Sequence, residues 1–358
     1  MRRAEARVDL AAIERNATRL ARELAEGCAL CAVVKADGYG HGAAPAARAA
    51  LAGGARWLAV ATAEEALALR AEGVDARTLV MGALSREELD LALAADADVV
   101  AWREAWLREA LGDRPARVHV KLDTGMGRLG TRDPAEADAV CARAGDRLAG
   151  LMTHFATADE RGDDFFGAQL ERFRAWALPH KERRGDLVLH AANSAGTLRD
   201  RAAHFDMVRC GIAVYGMDPF HEDAARRELE PALELRSYVA DVKPVAAGES
   251  AGYGRRFVAS GPTRLATLPI GYGDGVRRAL TNNAEVVIGG RRFPLVGTVS
   301  MDNVTVDVGD ADVEPGEAAV LIGAGISAEE VARRLDTISY EVTCGIGPRV
   351  PRIHERRA

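Results

Sequence analysis

The sequence predicts an α/β protein in two parts, a (β/α)8 TIM-type barrel over residues 1–225 and a mainly β domain over residues 226–358. Three observations predict it. Apolar, β-rich runs alternate with helix-patterned segments as far as residue 211, the signature of parallel strands joined by crossover helices. Side chains suited to chemistry, Lys35, Arg128, His154, Asn193 and Arg209, fall at or just beyond the carboxyl ends of those runs. After about Tyr215 strand signals follow one another without long helices between them.

Taken in order, Asp9 is placed to cap a helix whose Leu10, Ile13, Leu20 and Leu24 share one face, so the chain is expected to open on a helix. Eight apolar runs follow, near residues 31–35, 57–62, 78–82, 97–102, 117–123, 148–154, 187–191 and 207–211. Short runs bounded by turn residues suit strands that are covered on both faces. Seven helical patterns separate them, at 43–51, 63–71, 85–94, 104–111, 134–144, 165–183 and 194–201. An open doubly wound sheet is the architectural rival. The gathering of the reactive side chains at one end of the strands favours the barrel, whose single mouth would collect them.

In the second part, strands are expected over 235–245, 264–270, 286–295, 304–308 and 318–322. Gly289-Gly290 inside the third of these signals a hairpin, because two glycines supply the positive φ values of a tight primed turn. Ser327 is placed to cap one late helix over 328–335.

Length and composition set the outer limits. A chain of 358 residues suits a barrel plus a smaller unit, and 48% hydrophobic with 28% charged residues is ordinary for a globular protein. A net charge of −6 gives no footprint for nucleic acid, and the basic ending Arg349 to Arg357 reads as a solvated tail. The charged N-terminus has no apolar core of a signal peptide and no run is long enough to span a bilayer, so a cytoplasmic enzyme is expected. Five scattered cysteines argue against a disulfide framework, and the Cys28/Cys31 pair reads as core cysteines rather than a zinc or redox site.

The stretch from Cys31 to Gly42 carries the strongest chemical signal. It reads as a buried strand ending in Lys35, followed by Gly38, Gly40 and Gly42 with Tyr39 and His41 among them. Glycines there let the backbone turn sharply and approach a ligand. A partly desolvated lysine forms Schiff bases, which makes pyridoxal 5'-phosphate the first candidate cofactor. Arg128 follows Gly125 and Gly127 in a loop that either presents a guanidinium to a small carboxylate or pairs with Asp123 or Asp133 at the rim. Ser194 at a helix start, with Gly211 and Ile212 after the eighth strand, offers backbone and hydroxyl donors where barrels bind phosphate. Taken alone, His154 reads as a core histidine and Tyr253 as a turn tyrosine.

Ala32-Val-Val-Lys-Ala-Asp-Gly-Tyr-Gly-His-Gly42 resembles the cofactor loop of the alanine racemase family. So do Val118–Gly130, Met152–Glu160, His190–Ala195, Val208–Gly216, Gly248–Phe257, Pro269–Gly275, Gly297–Asn303 and Thr337–Val342, so that the likeness spans Val8 to Arg352. The resemblance implies that Lys35 holds pyridoxal 5'-phosphate and exchanges the α-proton on the D side, while Tyr253 of a partner subunit serves the L side. It places Arg209 against the pyridine nitrogen, supported by His154, with Tyr39, Asn193, Ser194, Gly211, Ile212 and Tyr340 also at the cofactor. Arg128, Met301 and Asp302 fall at the substrate, with Tyr272 and Tyr340 narrowing the entrance. Lys121 matches a lysine that the family carbamylates to buttress the arginine. Cys210 stands where the family commonly has proline.

The implied function is interconversion of L- and D-alanine by two bases in a homodimer, supplying D-alanine for peptidoglycan. A broad-specificity serine or lysine racemase, a basic amino-acid decarboxylase and a non-catalytic carrier of the same barrel fold are the alternatives. The apparent second base argues against the last two.

Overall fold

Strand β1 (Glu5–Asp9) opens the chain in the computed structural model, which describes residues 2–357. The helix expected there does follow, as Leu10–Glu23, with Asp9 Oδ1 accepting from Ala11 N at 2.9 Å. The sequence pattern contained no strand ahead of it. Only Ala6 and Val8 alternate inward, too short a period to register against the charged Glu5, Arg7 and Asp9.

Eight parallel strands then close into the expected barrel: β2 (Ala29–Val33), β3 (Trp57–Val60), β4 (Thr78–Val80), β5 (Asp98–Ala101), β6 (Val118–Lys121), β7 (Leu148–Met152), β8 (Val188–His190) and β9 (Met207–Cys210). Closure is direct, with β2 pairing β9 in register from Ala29↔Met207 to Ala32↔Cys210. The connecting helices carry their own start signals. Thr62 and Ser85 form capping boxes with Glu65 and Glu88, and Asp133 caps a helix with Pro134 in its first turn. The helix expected over 104–111 makes one α turn and then widens, with Gly112 N reaching back to Leu107 O at 2.9 Å.

Contacts divide the chain into two compact units, Ile13–Phe220 and the remainder on either side of it. The second unit is built on a nine-stranded sheet in which β1 lies between Leu233–Tyr238, antiparallel, and Arg352–Glu355, parallel. The basic ending is thus not a solvated tail. Its Arg352 to Glu355 form a strand, and Arg352 caps the carbonyls of Ile346, Gly347 and Val350. The single strand expected over 235–245 is two, Leu233–Tyr238 and Asp241–Val245. Gly289 and Gly290, at φ 56° and 78°, make the two-residue hairpin between Ile288 and Arg291. Ser327 caps the helix Ala328–Arg334 by accepting from Glu330 N.

Candidate active site

Strand β2 stops at Val33, two residues before the lysine expected to end it, and Lys35 enters a left-handed turn instead. Ala36, Asp37, Gly38 and Tyr39 all have φ between 51° and 63°. L-residues adopt this conformation singly, and a run of them is strained. Polar contacts hold it in place. Ala36 N donates to Glu65 Oε1 at 2.6 Å, Ala43 N to Asp37 Oδ1 at 2.8 Å and Gly38 N to Val34 O at 2.9 Å. Lys35 is half-buried, its Nζ 6.0 Å from the centre of the Tyr39 ring. Glu65 had no part in the sequence reading beyond its helix. Its Oε2 also accepts from Ala61 N, so one carboxylate ties the lysine turn to the next strand's exit.

Arg209 is 2% exposed at the carboxyl end of β9. Its Nη1 donates to His190 Nδ1 at 2.8 Å, and its Nη2 donates to Thr153 O at 2.8 Å, Ala191 O at 3.0 Å and His154 Nδ1 at 3.2 Å. The Nε–H and the second Nη1–H have no partner among the described residues. Burial pulls this guanidinium down to about 10, which leaves it a cation and donor at neutral pH. His154 and His190 are held neutral, first by burial and then by the charge of Arg209.

Lys121, at the end of β6, is 4% exposed. Burial, then Arg209 and Arg128, pull its ammonium down to about 8. Lys35, Lys121, Arg128 and Arg209 therefore form a cationic group, which Asp123 opposes at Lys121. The loop that follows is closed at its base, where Asp123 N donates to Thr131 O and Thr131 N to Lys121 O. Asp123 accepts from Gly125 N and Gly127 N and pairs with Arg132 at 3.1 Å, while Asp133 caps its own helix. Neither carboxylate pairs with Arg128, whose exposed side chain has no ion pair among the described residues. Gln169, another residue the sequence did not single out, pins this loop to the next. Its Nε2 donates to Thr124 Oγ1 and His154 O, and its Oε1 accepts from Ala156 N.

The residues expected to hold phosphate come together after β8 and β9. Asn193 caps the short helix Ser194–Arg199 through Gly196 N at 2.9 Å, and Ser194 Oγ accepts from Gly211 N at 3.0 Å. A Cβ on Gly211 would lie 2.2 Å from the Tyr39 hydroxyl, so the glycine makes room for that oxygen. Cys210, in place of proline, donates to Thr197 Oγ1 at 3.4 Å and is buried, its thiol pushed up to about 11.

The second unit carries the remaining expected residues on adjoining turns. Tyr253 is 74% exposed, Met301 51% and Tyr272 43%, large apolar surfaces of the kind that soluble chains normally cover. Gly252 and Gly254 at φ 73° and 70° shape the Tyr253 turn, and Thr298 Oγ1 donates to Tyr253 O at 2.6 Å. Tyr272 N and Gly273 N donate to Ser300 O and Met301 O, zipping the Tyr272 and Met301 turns together. Asp302 accepts from Arg349 Nη2 at 2.8 Å, and Tyr340 is half-buried in the helix Ser339–Cys344.

Residues 8–219 match the family model for the alanine racemase N-terminal domain, and residues 232–354 that for the C-terminal domain. The chain is 45% identical to the alanine racemase of Thermobifida fusca over 98% of both chains. It is 44% identical to that of Symbiobacterium thermophilum over 99% of this chain and 97% of the relative. Its structure superimposes on that of alanine racemase from Streptomyces lavendulae with a TM-score of 0.92 at 39% identity, covering 99% and 97% of the two chains. The chain belongs to the alanine racemase family.

Proposed function

We propose that this chain interconverts L- and D-alanine with pyridoxal 5'-phosphate. The observation that carries the reading is Arg209, a guanidinium buried against a neutral histidine rather than a carboxylate, at the same barrel end as Lys35. Such a group donates to a pyridine-type nitrogen and never protonates it. The residues present fit the cofactor. Gly211 leaves space at the Tyr39 hydroxyl, Ser194 and the backbone beside it supply phosphate donors, and Lys35 supplies the amine. When bound, pyridoxal phosphate supplies an electron-withdrawing ring that acidifies the α-proton of an attached amino acid.

Lys35 moves that proton on one face, from the turn that Glu65 fixes. Tyr253 of the partner subunit serves the opposite face, since one base cannot reach both. Its exposure in the single chain fits a side chain that a second copy covers, and the homodimer is part of the reading. Arg128, which no carboxylate of its own loop engages, is available to the substrate carboxylate, with Met301 offering its backbone N–H and Asp302 lying beside it. Lys121 carries a carbamate: the neutral amine, more abundant because burial pulls its pKa down to about 8, adds to CO2 and releases one N–H proton to solvent, and the resulting carboxylate supplies negative charge to cationic surroundings. Asn193, Ile212 and Tyr340 complete the cofactor's surroundings, and Tyr272 with Tyr340 restricts side-chain size. An intracellular location and supply of D-alanine for peptidoglycan accompany the reading.

The test is α-proton exchange in D2O with L-alanine, D-alanine, serine and lysine, using wild type and Tyr253→Phe. Exchange with inversion confined mainly to alanine is expected. In the variant, loss should fall more heavily on exchange from L-alanine. Bound cofactor without exchange on any substrate would refute the enzyme reading.

A further inference from the structure

We infer that Asp98 and His119, deep in the barrel, are positioning residues that fix the proton on His190 and so hold Arg209 as a donor at the barrel mouth. The inference rests on the proposed function only for what Arg209 donates to. Neither residue carried a role in the sequence reading. Four side chains from four strands form one hydrogen-bonded row. Arg209 Nη1 meets His190 Nδ1 at 2.8 Å, His190 Nε2 meets His119 Nδ1 at 2.8 Å, and His119 Nε2 meets Asp98 Oδ2 at 2.9 Å. All four are essentially inaccessible to water.

The ends of the row dictate its proton order. A guanidinium only donates, so His190 Nδ1 accepts and the proton of this neutral ring sits on Nε2. That N–H faces His119 Nδ1, which accepts in turn, and the His119 proton on Nε2 faces the carboxylate. Asp98 is kept ionised against the penalty of its burial by His119 and by two arginines: Arg77 Nη2 lies 2.7 Å and Arg117 Nε 2.6 Å from its oxygens. Arg77 in turn stacks on Trp57 at 4.0 Å, and the Trp57 ring meets His119 edge-on. Only one arrangement of protons satisfies every atom in the row.

The surrounding strands are built to admit it. A Cβ on Gly150 of β7 would lie 2.4 Å from His119 Nδ1, so this glycine holds open the space that the imidazole fills. Buried polar rows are seldom more stable than apolar packing of the same volume, which makes a row of this length expensive unless its proton order is used. Remove His119 and the His190 ring is free to carry its proton on Nδ1, where it opposes the N–H of Arg209 and displaces the guanidinium.

The experiment uses the full chain loaded with pyridoxal phosphate and labelled with nitrogen-15 at histidine. In wild type, His190 should show a bare Nδ1 and a protonated Nε2. His119→Leu should introduce the second tautomer and lower kcat for alanine on the order of tenfold, with KM little changed. His119→Gln, whose amide both accepts from His190 and donates to Asp98, should restore one tautomer and most of kcat. Gly150→Ala, which crowds the ring but deletes no polar group, should move both readouts in the direction of His119→Leu. If His119→Leu fails to fold, Asp98→Asn and Gly150→Ala are judged on the same tautomer criterion. A single unchanged His190 tautomer in folded His119→Leu, or in Asp98→Asn and Gly150→Ala where His119→Leu does not fold, overturns the inference, as does a tautomer change without a change in kcat. Wild type lacking racemase activity would instead refute the proposed function, and the tautomer measurement would stand apart from it.

Discussion

Glu65→Ala should loosen the turn that carries Lys35 without unfolding the barrel. Ala36, Asp37 and Tyr39 sit at φ 51°, 52° and 54°. At roughly 1–2 kcal/mol for each non-glycine residue, the turn stores about 3–6 kcal/mol. Against this stand its local hydrogen bonds, of which the one from Ala36 N to Glu65 at 2.6 Å is charge-assisted and contributes about 1.5–3 kcal/mol. Glu65 is half-buried, so water replaces part of the loss and the lower end of that range applies. A deficit of about 1.5–2 kcal/mol corresponds to roughly 10- to 30-fold faster opening. Amide hydrogen exchange at Ala36, Gly38 and Gly40 reads that opening directly, and kcat for alanine should fall with it. Glu65→Gln keeps one acceptor oxygen for either Ala36 N or the Ala61 and Thr62 amides, so its effect should be intermediate. Unchanged exchange at Ala36 and Gly40 in Glu65→Ala, with faster exchange confined to Ala63–Ala71, would refute the reasoning. Glu65 would then be a helix cap and nothing more.

Three further outcomes are expected. With CO2 excluded, Lys121 lies near 8 in the folded chain against 10.5 unfolded, so the unfolded chain binds more protons between those values and stability should rise with pH across that window. The gap is worth at most about 3.4 kcal/mol, and urea titrations at pH 7.5 and 10 should lose the rise in Lys121→Met. Gly211→Ala should displace the Tyr39 hydroxyl, 2.2 Å from the new methyl, and weaken cofactor binding about tenfold in a spectroscopic titration, with the urea midpoint nearly unchanged. Asp274→Ala removes a fully buried acceptor for Gly271 N and for Arg349 at 3.0 Å, and Arg3 loses the same partner. A loss of about 2–3 kcal/mol in urea unfolding, with faster exchange across Gly271–Gly275, is the expected result.

The eight barrel strands and the hairpin at Gly289-Gly290 were legible because each signal is local, a run of apolar residues or a glycine pair that only one kind of turn uses. Lys35, Arg128 and Arg209 drew notice for a different reason, since each stands at or beyond the carboxyl end of a barrel strand, Arg128 in the loop after β6. What the chain did not reveal are the residues whose partners lie far away in sequence. Glu65 reads as a helix-start glutamate until its bond to Ala36 is seen, and Gln169 as a helix surface residue until it spans two loops. Asp98 and His119 lie in strands whose neighbours read simply as buried core, and Gly150 carries no turn signal at all. The left-handed turn also escaped notice. Its glycines announce a sharp bend, but Ala36 and Asp37 give no sign that they share the strain.

Strand β1 imposes an order on biosynthesis. Ala6 pairs with Arg352, so β1 completes its pairing only after Arg352–Glu355 has been made. At about 5–20 residues per second, that wait is roughly 17–70 s. The barrel residues, continuous from Ile13 to Phe220, are complete well before then and can fold in the interval. Until Leu233–Tyr238 is made β1 has two bare edges, and from then until Arg352–Glu355 follows it has one. Its brevity and its charged Glu5, Arg7 and Asp9 make it a poor template for pairing with other nascent chains, and the same composition that hid the strand from pattern reading protects it while it waits.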